Sequence, residues 1–122
     1  MKIYVAGPAC EQDLVREAAR ILVEHGHEIT STWLDHDVSY SSQGVEERLP
    51  ASAVMDFKDV SRADAIMVIN EPGSAGGMHT ELGIALGLGK MCFLIGKRTQ
   101  VFHWHHKVIV YEDILTWIQK HS

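Results

Sequence analysis

The chain has 122 residues, of which 46% are hydrophobic and 22% charged, and this is the composition of one soluble globular domain spanning 1–122. Its net charge of −5 excludes a nucleic acid as the expected partner, because nucleic-acid binders cluster Lys and Arg, whereas a small anion needs only a few local donors. The sequence has no recognisable leader segment and no apolar run approaching roughly 20 residues, so we expect a cytoplasmic protein without a membrane partner.

The chain begins with a predicted strand and a predicted helix. Residues 2–6, KIYVA, are rich in β-forming side chains and end at a turn made by Gly7 and Pro8. Apolar residues then recur at the spacing of one helix face over 11–25. This order of strand, turn and helix starts an alternation that continues along the chain.

The next segments predict a strand, a loop and a second helix. Residues 28–33, EITSTW, predict a strand less central than the first, and the polar, aperiodic stretch 34–47 predicts a loop long enough to act as a lid. Pro50 fits the first turn of a helix over 50–62. Asp56 falls at the border of the apolar face, from which a carboxylate can reach a cleft. The predicted buried face comprises Ala53, Val54, Phe57 and Val60.

The second half of the chain predicts three more strands, at 64–70, 91–95 and 107–111. A helix over 78–89 has almost no polar side, which indicates burial on both sides and a contact with another subunit. An amphipathic helix over 112–121 closes the chain. Strands that alternate with helices predict an α/β three-layer fold with a mostly parallel five-stranded sheet.

In such sheets, ligands bind beyond the carboxyl ends of the strands, where the strand order reverses. The loop after the third predicted strand is the most informative, because Gly73, Gly76 and Gly77 leave backbone N–H groups accessible at the start of a helix. Ser74 adds a hydroxyl, so the loop suits an anion such as a phosphate, although a flexible connection without a ligand is the alternative. Glu81 follows in the first predicted turn, where it either complements the helix dipole or serves as a nucleophile kept ionised by that dipole.

Three segments of the sequence resemble the nucleoside 2-deoxyribosyltransferase superfamily: KIYVAGP, DFKDVSRADAIMVI and GGMHTELGIALGLGK. This superfamily includes the transferases and the related 2′-deoxynucleoside 5′-monophosphate N-glycosidases. The resemblance spans the whole chain and implies a flavodoxin-like variant of the Rossmann-like three-layer fold. It also implies an oligomer with shared active sites and cleavage of an N-glycosidic bond through a covalent glycosyl-glutamate.

Taken position by position, the resemblance assigns the nucleophile to Glu81 and the acid that assists at the leaving base to Asp56. Tyr4 matches the first-strand tyrosine that orients the nucleophile. Gly7 matches the glycine of the first turn, and Ser74 matches the phosphate-binding serine of the monophosphate hydrolases. The implied site therefore draws on three separate parts of the chain.

Two aromatic side chains are further candidates for substrate contact. Trp33 can stack on the base or cover the core as a rim residue, and His79 can approach the substrate or merely fill the start of the helix. Ala75 occupies the position where true transferases carry a second acidic residue, and Glu71 or Asn70 would have to substitute for it. This departure favours hydrolysis over base exchange.

Histidines and cysteines give no expected metal site. The run HWHH at 103–106 lies on a predicted irregular loop, where adjacent histidines rarely converge on one ion, and a surface or subunit-contact loop is the expectation. Cys10 and Cys92 are too far apart for a common metal or redox spacing, so we expect buried or half-buried free thiols in a reducing compartment. We expect neither a metal nor a cofactor.

The sequence thus predicts an enzyme that cleaves (deoxy)nucleoside 5′-monophosphates into base and sugar phosphate, acting as a homodimer or a multiple of dimers. One alternative is a nucleoside 2-deoxyribosyltransferase that exchanges bases between deoxynucleosides. The stretch EPGSAGGMHTELG is also similar to the glycine-rich motif of cytokinin-type phosphoribohydrolases, although its glycines are displaced. A non-catalytic nucleotide-binding module is the alternative from another class, and for it Glu81 and Asp56 would be structural.

Overall fold

A parallel five-stranded sheet forms the centre of the computed structural model, which describes residues 1–35, 45–70 and 77–121. The strands are β1 (Lys2–Ala6), β2 (Glu28–Ile29), β3 (Ala65–Asn70), β4 (Met91–Gly96) and β5 (Val108–Tyr111). The α-helices are α1 (Gln12–Glu24), α2 (Val45–Ser61), α3 (Gly77–Gly87) and α4 (Ile114–His121). Short 3-10 helices cover Ala9–Glu11, Thr32–Asp35 and Val101–Trp104.

The strand order β2-β1-β3-β4-β5 places β3 in the middle of the sheet, and all six of its residues are buried. A strand covered on both faces reads as a continuous apolar run, and this explains the sequence of β3. The chain moves outward from β1 to β2 and then returns past β1 to β3, so the order reverses between β1 and β3. The α/β three-layer fold predicted from the sequence is therefore confirmed, and the edge at which folds of this kind bind ligands lies where β1 and β3 end.

Gly7 allows the turn after β1 to approach both α1 and β3 closely. A Cβ atom at this position would lie 2.4 Å from Cγ2 of Val15 and 3.4 Å from the carbonyl oxygen of Ile69. No side chain fits into that space, since Val15 is itself fully buried in the core face of α1. Gly7 thus allows the first turn to pack directly against the end of the central strand, β3.

Helix α2 departs from the sequence prediction at its start and on its predicted buried face. It begins at Val45, so Pro50 lies within the helix instead of in its first turn. Val54 and Phe57 are 56% and 51% exposed, whereas Val60 is buried as predicted. Helical periodicity identifies which side chains share a face but not what covers that face. Within one copy of the chain, none of the described residues covers the face that carries Val54 and Phe57. Of the predicted lid, 36–44 lies outside the described residues.

Strand β2 is shorter than predicted, because only Glu28 and Ile29 pair with β1 and the chain then turns into a 3-10 helix. The part of the chain that the structure describes contains no helix long and apolar enough to cross a membrane. Both cysteines are free thiols, but the expected burial holds only for Cys92 in β4, because Cys10 is exposed beyond the end of β1. Burial raises the pKa of the Cys92 thiol to about 11.

Candidate active site

A hydrogen bond between Tyr4 and Glu81 joins β1 to α3 at the ligand-binding edge of the sheet. The Tyr4 hydroxyl donates to Oε2 of Glu81 at 2.5 Å, and Tyr4 is fully buried. Tyr4 is opposite Ile66 of β3 in the sheet, so the pair lies at the β1–β3 boundary where the strand order reverses. A tyrosine in this position fixes the direction in which the carboxylate points.

The ionisation of Glu81 differs from the sequence-based expectation. Helix α3 begins at Gly77 and carries no acidic residue in its first turn, so Glu81 lies beyond the turn where the helix dipole acts most strongly. Burial raises the pKa of Glu81 to about 8, and the charges of Asp56 and Asp59 add to the rise while the Tyr4 hydrogen bond opposes it. The ligand-free carboxyl group is therefore mostly protonated at neutral pH, because desolvation outweighs the helix field.

Asp56 belongs to the same electrostatic unit as Tyr4 and Glu81. It is partly buried on α2, and its negative charge raises the pKa of both of these residues. The pKa of Tyr4 is raised first by burial and then by Glu81, so the phenol remains a hydrogen-bond donor throughout the physiological range. Two acidic side chains and one permanent donor thus converge from β1, α2 and α3.

Asp59 is a site residue that the sequence analysis missed. It is 2% exposed, and its Oδ2 accepts hydrogen bonds from the backbone N–H of Thr32 at 3.0 Å and from the Thr32 hydroxyl at 2.6 Å. Arg62 donates to its other oxygen at 3.3 Å. Asp59 thereby anchors the segment after β2 to α2, and the only signal for it in the sequence was the hydroxyl-rich run of Thr30 to Thr32.

Trp33 follows Thr32 in this anchored segment. It is 7% exposed, and its indole N–H donates to the carbonyl oxygen of Val5 at 2.9 Å. Gln12 and Arg16 of α1 donate to the carbonyl oxygens of Trp33 and Leu34, at 2.9 and 2.7 Å. The polar atom of the indole is thus used within the fold, and little of the ring is open for stacking on a ligand.

Two further candidate residues lie in the first turn of α3. Gly77 is the first residue of that helix, and His79 lies against His103 with ring centres 5.4 Å apart. Ser74 and Gly76 lie outside the described residues. Within the predicted surface or subunit-contact loop 103–106, Trp104 and His106 are exposed, whereas the side chain of His103 is fully buried in the 3-10 helix after β4. Across 1–35, 45–70 and 77–121, no group of three or more His, Cys, Asp or Glu side chains is arranged to hold a metal ion.

A three-layer fold with strand order 2-1-3-4-5 and a partly buried, hydrogen-bonded Tyr–Glu pair at its switch point defines a flavodoxin-like α/β protein with a carboxylate site. The sequence profile of the nucleoside 2-deoxyribosyltransferase family matches residues 3–113. The chain therefore belongs to the nucleoside 2-deoxyribosyltransferase family, as the resemblance in the sequence indicated, and it is an enzyme. Among curated proteins, none matches this chain significantly in sequence.

Two solved structures are similar over nearly the whole chain. The CMP N-glycosidase BcmB of Clostridium botulinum has 17% sequence identity and a TM-score of 0.65, with 98% of this chain and 97% of that chain covered. The 2-deoxyribosyltransferase of Bacillus psychrosaccharolyticus has 21% identity and a TM-score of 0.75, with 97% and 90% covered. At these identities the likeness establishes a shared fold, in which one neighbour is a glycosidase and the other a transferase.

Proposed function

We propose that this protein cleaves the N-glycosidic bond of (deoxy)nucleoside 5′-monophosphates through a covalent glycosyl-glutamate on Glu81, releasing the free base and the sugar phosphate. The observation that carries this proposal is the buried Tyr4–Glu81 hydrogen bond, with Asp56 close enough for its charge to raise the pKa of both residues. Cleavage of a glycosidic bond requires two acidic groups near each other, and Glu81, held by Tyr4, and Asp56 are such a pair.

The proposed reaction has two steps. A carboxylate oxygen of Glu81 forms a bond to C1′ as the bond from C1′ to the base nitrogen breaks, and the base leaves with the electron pair and takes up a proton. Asp56, or a water that it holds, supplies that proton. Water then attacks C1′ and loses a proton, and Glu81 departs, so that the sugar is released with its original anomeric configuration.

The raised pKa of Glu81 makes its ionisation a condition for the first step. In the ligand-free protein the group has a pKa of about 8, so at neutral pH it must lose a proton before it can attack. We propose that this proton is released to solvent, and that the departing base takes up its proton separately, from Asp56 or from a water that Asp56 holds.

The preference for a monophosphate depends on the loop before α3. Ser74, Gly76 and Gly77 are proposed to bind the 5′-phosphate, with Gly77 contributing one of the backbone N–H groups at the start of α3 that lack a partner within the helix. Ala75 supports hydrolysis over base exchange, because the acidic residue of the transferases is absent from its position. Gly7 and the segment containing Trp33 are proposed to contact the sugar and the edge of the base.

A panel experiment tests the function. The protein is incubated with nucleosides and with their 5′-monophosphates, with and without a second free base, and the products are separated by chromatography. The proposal expects free base and sugar phosphate from the monophosphates and no exchanged nucleoside. An exchanged nucleoside would establish the transferase alternative, and binding without any product would establish a non-catalytic module.

Replacing Tyr4 with Phe is expected to lower kcat about tenfold, because the carboxylate of Glu81 loses the donor that orients it. The same hydrogen bond lowers the pKa of Glu81, so its loss is expected to shift the acid limb of the pH–rate profile to higher pH. Rates measured from pH 5 to 10 check both effects. Tyr111→Phe, at the far edge of the sheet in β5, is the matched control and should leave the profile unchanged. A Tyr4→Phe profile identical to that of the wild type would refute the orienting role.

We extend the proposal to a homo-oligomer. Four apolar side chains of α2 are 39–56% exposed in one copy of the chain: Leu49, Val54, Met55 and Phe57. Solvent contact with so many large apolar groups on one helix is unfavourable, and a second copy would cover them. Sedimentation at micromolar concentration is expected to show dimers or multiples of dimers, and Phe57→Asp is expected to shift the distribution towards monomer. A monomeric wild-type protein would refute this extension.

A further inference from the structure

Two imidazole rings meet on the side of α3 that faces the segment after β4. His79, in the first turn of α3, and His103, in the 3-10 helix Val101–Trp104, have ring centres 5.4 Å apart and planes inclined at 55°. Residues two apart on a helix do not share a face, so His79 projects away from the direction in which Glu81 reaches Tyr4. The proposed reaction uses Glu81 but assigns no task to His103.

The hydrogen bonding of His103 fixes where its proton resides. Its Nδ1 accepts from the backbone N–H of Thr99 at 3.0 Å, so in the neutral ring the proton is on Nε2. Burial, followed by the charges of His79 and Arg98, lowers the pKa of His103 and keeps the ring neutral. The Nε2–H group is fully buried, and no hydrogen-bond acceptor for it exists among the described residues. An unsatisfied buried donor costs about 1–3 kcal/mol, so this group requires a partner.

His79 presents the complementary atom. Its Nδ1 is also buried and without a hydrogen-bond partner within the described parts of the chain. An imidazole nitrogen without a proton is an acceptor, so the two unsatisfied atoms are a donor and a potential acceptor on adjacent rings. The distance between the ring centres is what two imidazoles have when a ring N–H of one reaches a ring nitrogen of the other. The structure itself does not contain a hydrogen bond between these atoms, so forming it requires a rotation of one of the two rings.

We propose that Nε2–H of His103 donates a hydrogen bond to Nδ1 of His79, and that this bond makes His103 a positioning residue for the first turn of α3 and for Glu81. Tyr4 then holds the nucleophile from the β1 side, and His103 holds the same helix from the β4 side. The link to Glu81 chemistry rests on the proposed function, whereas the hydrogen bond itself does not.

The segment that carries His103 is firmly attached to the sheet, as a positioning residue requires. The side-chain amide of Asn70, the last residue of β3, donates to the carbonyl oxygen of Lys97 at 2.6 Å and to the hydroxyl of Thr99 at 2.9 Å. Gly96 has φ of +115°, and a Cβ atom there would lie 2.8 Å from the carbonyl oxygen of Asn70. The end of the central strand therefore fixes the turn from which Thr99 holds the His103 ring.

Nuclear magnetic resonance of histidine-labelled protein tests the hydrogen bond directly. In ¹⁵N-histidine-labelled wild-type protein at pH 7.5, the proposal expects a scalar coupling across the hydrogen bond between Nε2 of His103 and Nδ1 of His79. It also expects His79 to carry its own proton on Nε2. Absence of the coupling, or a proton on Nδ1 of His79, would overturn the proposal whatever reaction the protein catalyses. Exposed His106 is the internal control and should show no such coupling.

Two substitutions of the same residue test the positioning role. His103→Gln keeps an N–H donor near the place of Nε2, whereas His103→Leu fills the space without a donor. His103→Leu is expected to lower kcat about tenfold with KM within about twofold, and His103→Gln to recover most of that loss. His106→Leu should leave the rate unchanged. Equal losses in both His103 variants, or a change in KM alone, would refute positioning, and thermal unfolding checks that all three variants are folded.

A failure of the proposed function can be distinguished from a failure of the proposed role of His103. If the wild-type protein releases no base from any compound in the panel, the proposed function fails, while the nitrogen–nitrogen coupling still decides whether the His79–His103 bond exists. If the wild type is active but the coupling is absent, the function stands and the positioning role of His103 is refuted.

Discussion

Replacing Glu81 with Gln is expected to lower the rate of base release by at least about a thousandfold. Glutamine has nearly the same shape and still accepts the hydrogen bond from Tyr4, which is 2.5 Å from Oε2 in the native protein, but it cannot form the ester to C1′. Single-turnover chromatography of the released base measures the effect. Glu112→Gln, at an exposed position beyond β5, is the matched control and should retain the native rate.

A covalent adduct gives independent support for the same role. A substrate analogue with fluorine at C2′ slows release of the glycosyl group, because fluorine destabilises the oxocarbenium-like transition state. Mass spectrometry of the trapped wild-type protein is expected to show one added sugar on the peptide that contains Glu81, and no addition in Glu81→Gln. A native rate in Glu81→Gln, or an adduct on another residue, would exclude Glu81 as the nucleophile.

The second large effect expected is a steep dependence of activity on pH. If Glu81 must be ionised and its pKa is about 8, kcat/KM should rise about tenfold per pH unit below pH 8 and flatten above it. Activity at pH 6 would then be about a hundredfold below the plateau. Initial rates at low substrate concentration from pH 5 to 9 measure this limb.

Asp56→Asn separates the charge effect from the proton-transfer role. The charge of Asp56 raises the pKa of Glu81, so its removal is expected to move the acid limb to lower pH. The plateau rate should fall at the same time, because the departing base loses its proton donor. Asp113→Asn, which removes an exposed carboxylate at the start of α4, is the control. An acid limb that stays in place in Asp56→Asn would show that the two carboxyl groups are not coupled.

The same pKa predicts how stability depends on pH. Glu81 titrates near 8 in the folded protein and at the ordinary value of 4.5 in the unfolded chain, so the folded state binds the proton more tightly. The stabilisation from that proton is fully present below about pH 4.5 and is lost as pH rises towards 8. In Glu81→Gln this loss is absent, so the variant should gain about 3–4 kcal/mol on the wild type between pH 5 and 8. Urea unfolding at several pH values checks the difference.

The sequence predicted the fold and the family better than it predicted the environment of individual side chains. Strands β1, β3, β4 and β5 are short apolar runs, and such runs can be recognised because hydrophobicity and β-propensity are properties of a few consecutive residues. The predicted ionisation state of Glu81 was wrong. The field of a helix can be inferred from the position of a residue in the chain, whereas desolvation depends on residues far away in the sequence. Tyr4, which is 77 positions distant from Glu81, illustrates that separation.

Asp59 and His103 were misjudged for the same physical reason. A carboxylate and an imidazole are polar, so a sequence pattern assigns them to the surface unless their partners are known. Asp59 is buried because Thr32 satisfies one of its oxygens, and His103 is buried because Thr99 satisfies its Nδ1. Phe57 gave the opposite error, since an apolar side chain on a helix face was expected to be covered and is half exposed. The predictions failed where burial depends on a specific partner.

The two cysteines make the protein suitable for site-selective fluorescent labelling without mutagenesis. Cys10 is exposed just after β1, at the same edge of the sheet as the Tyr4–Glu81 pair, whereas Cys92 is buried and its pKa of about 11 leaves almost no reactive thiolate at neutral pH. A thiol-reactive dye should therefore attach to Cys10 alone, just after the end of β1. If the proposed site binds its substrate at this edge of the sheet, the fluorescence of the attached dye is expected to report that binding.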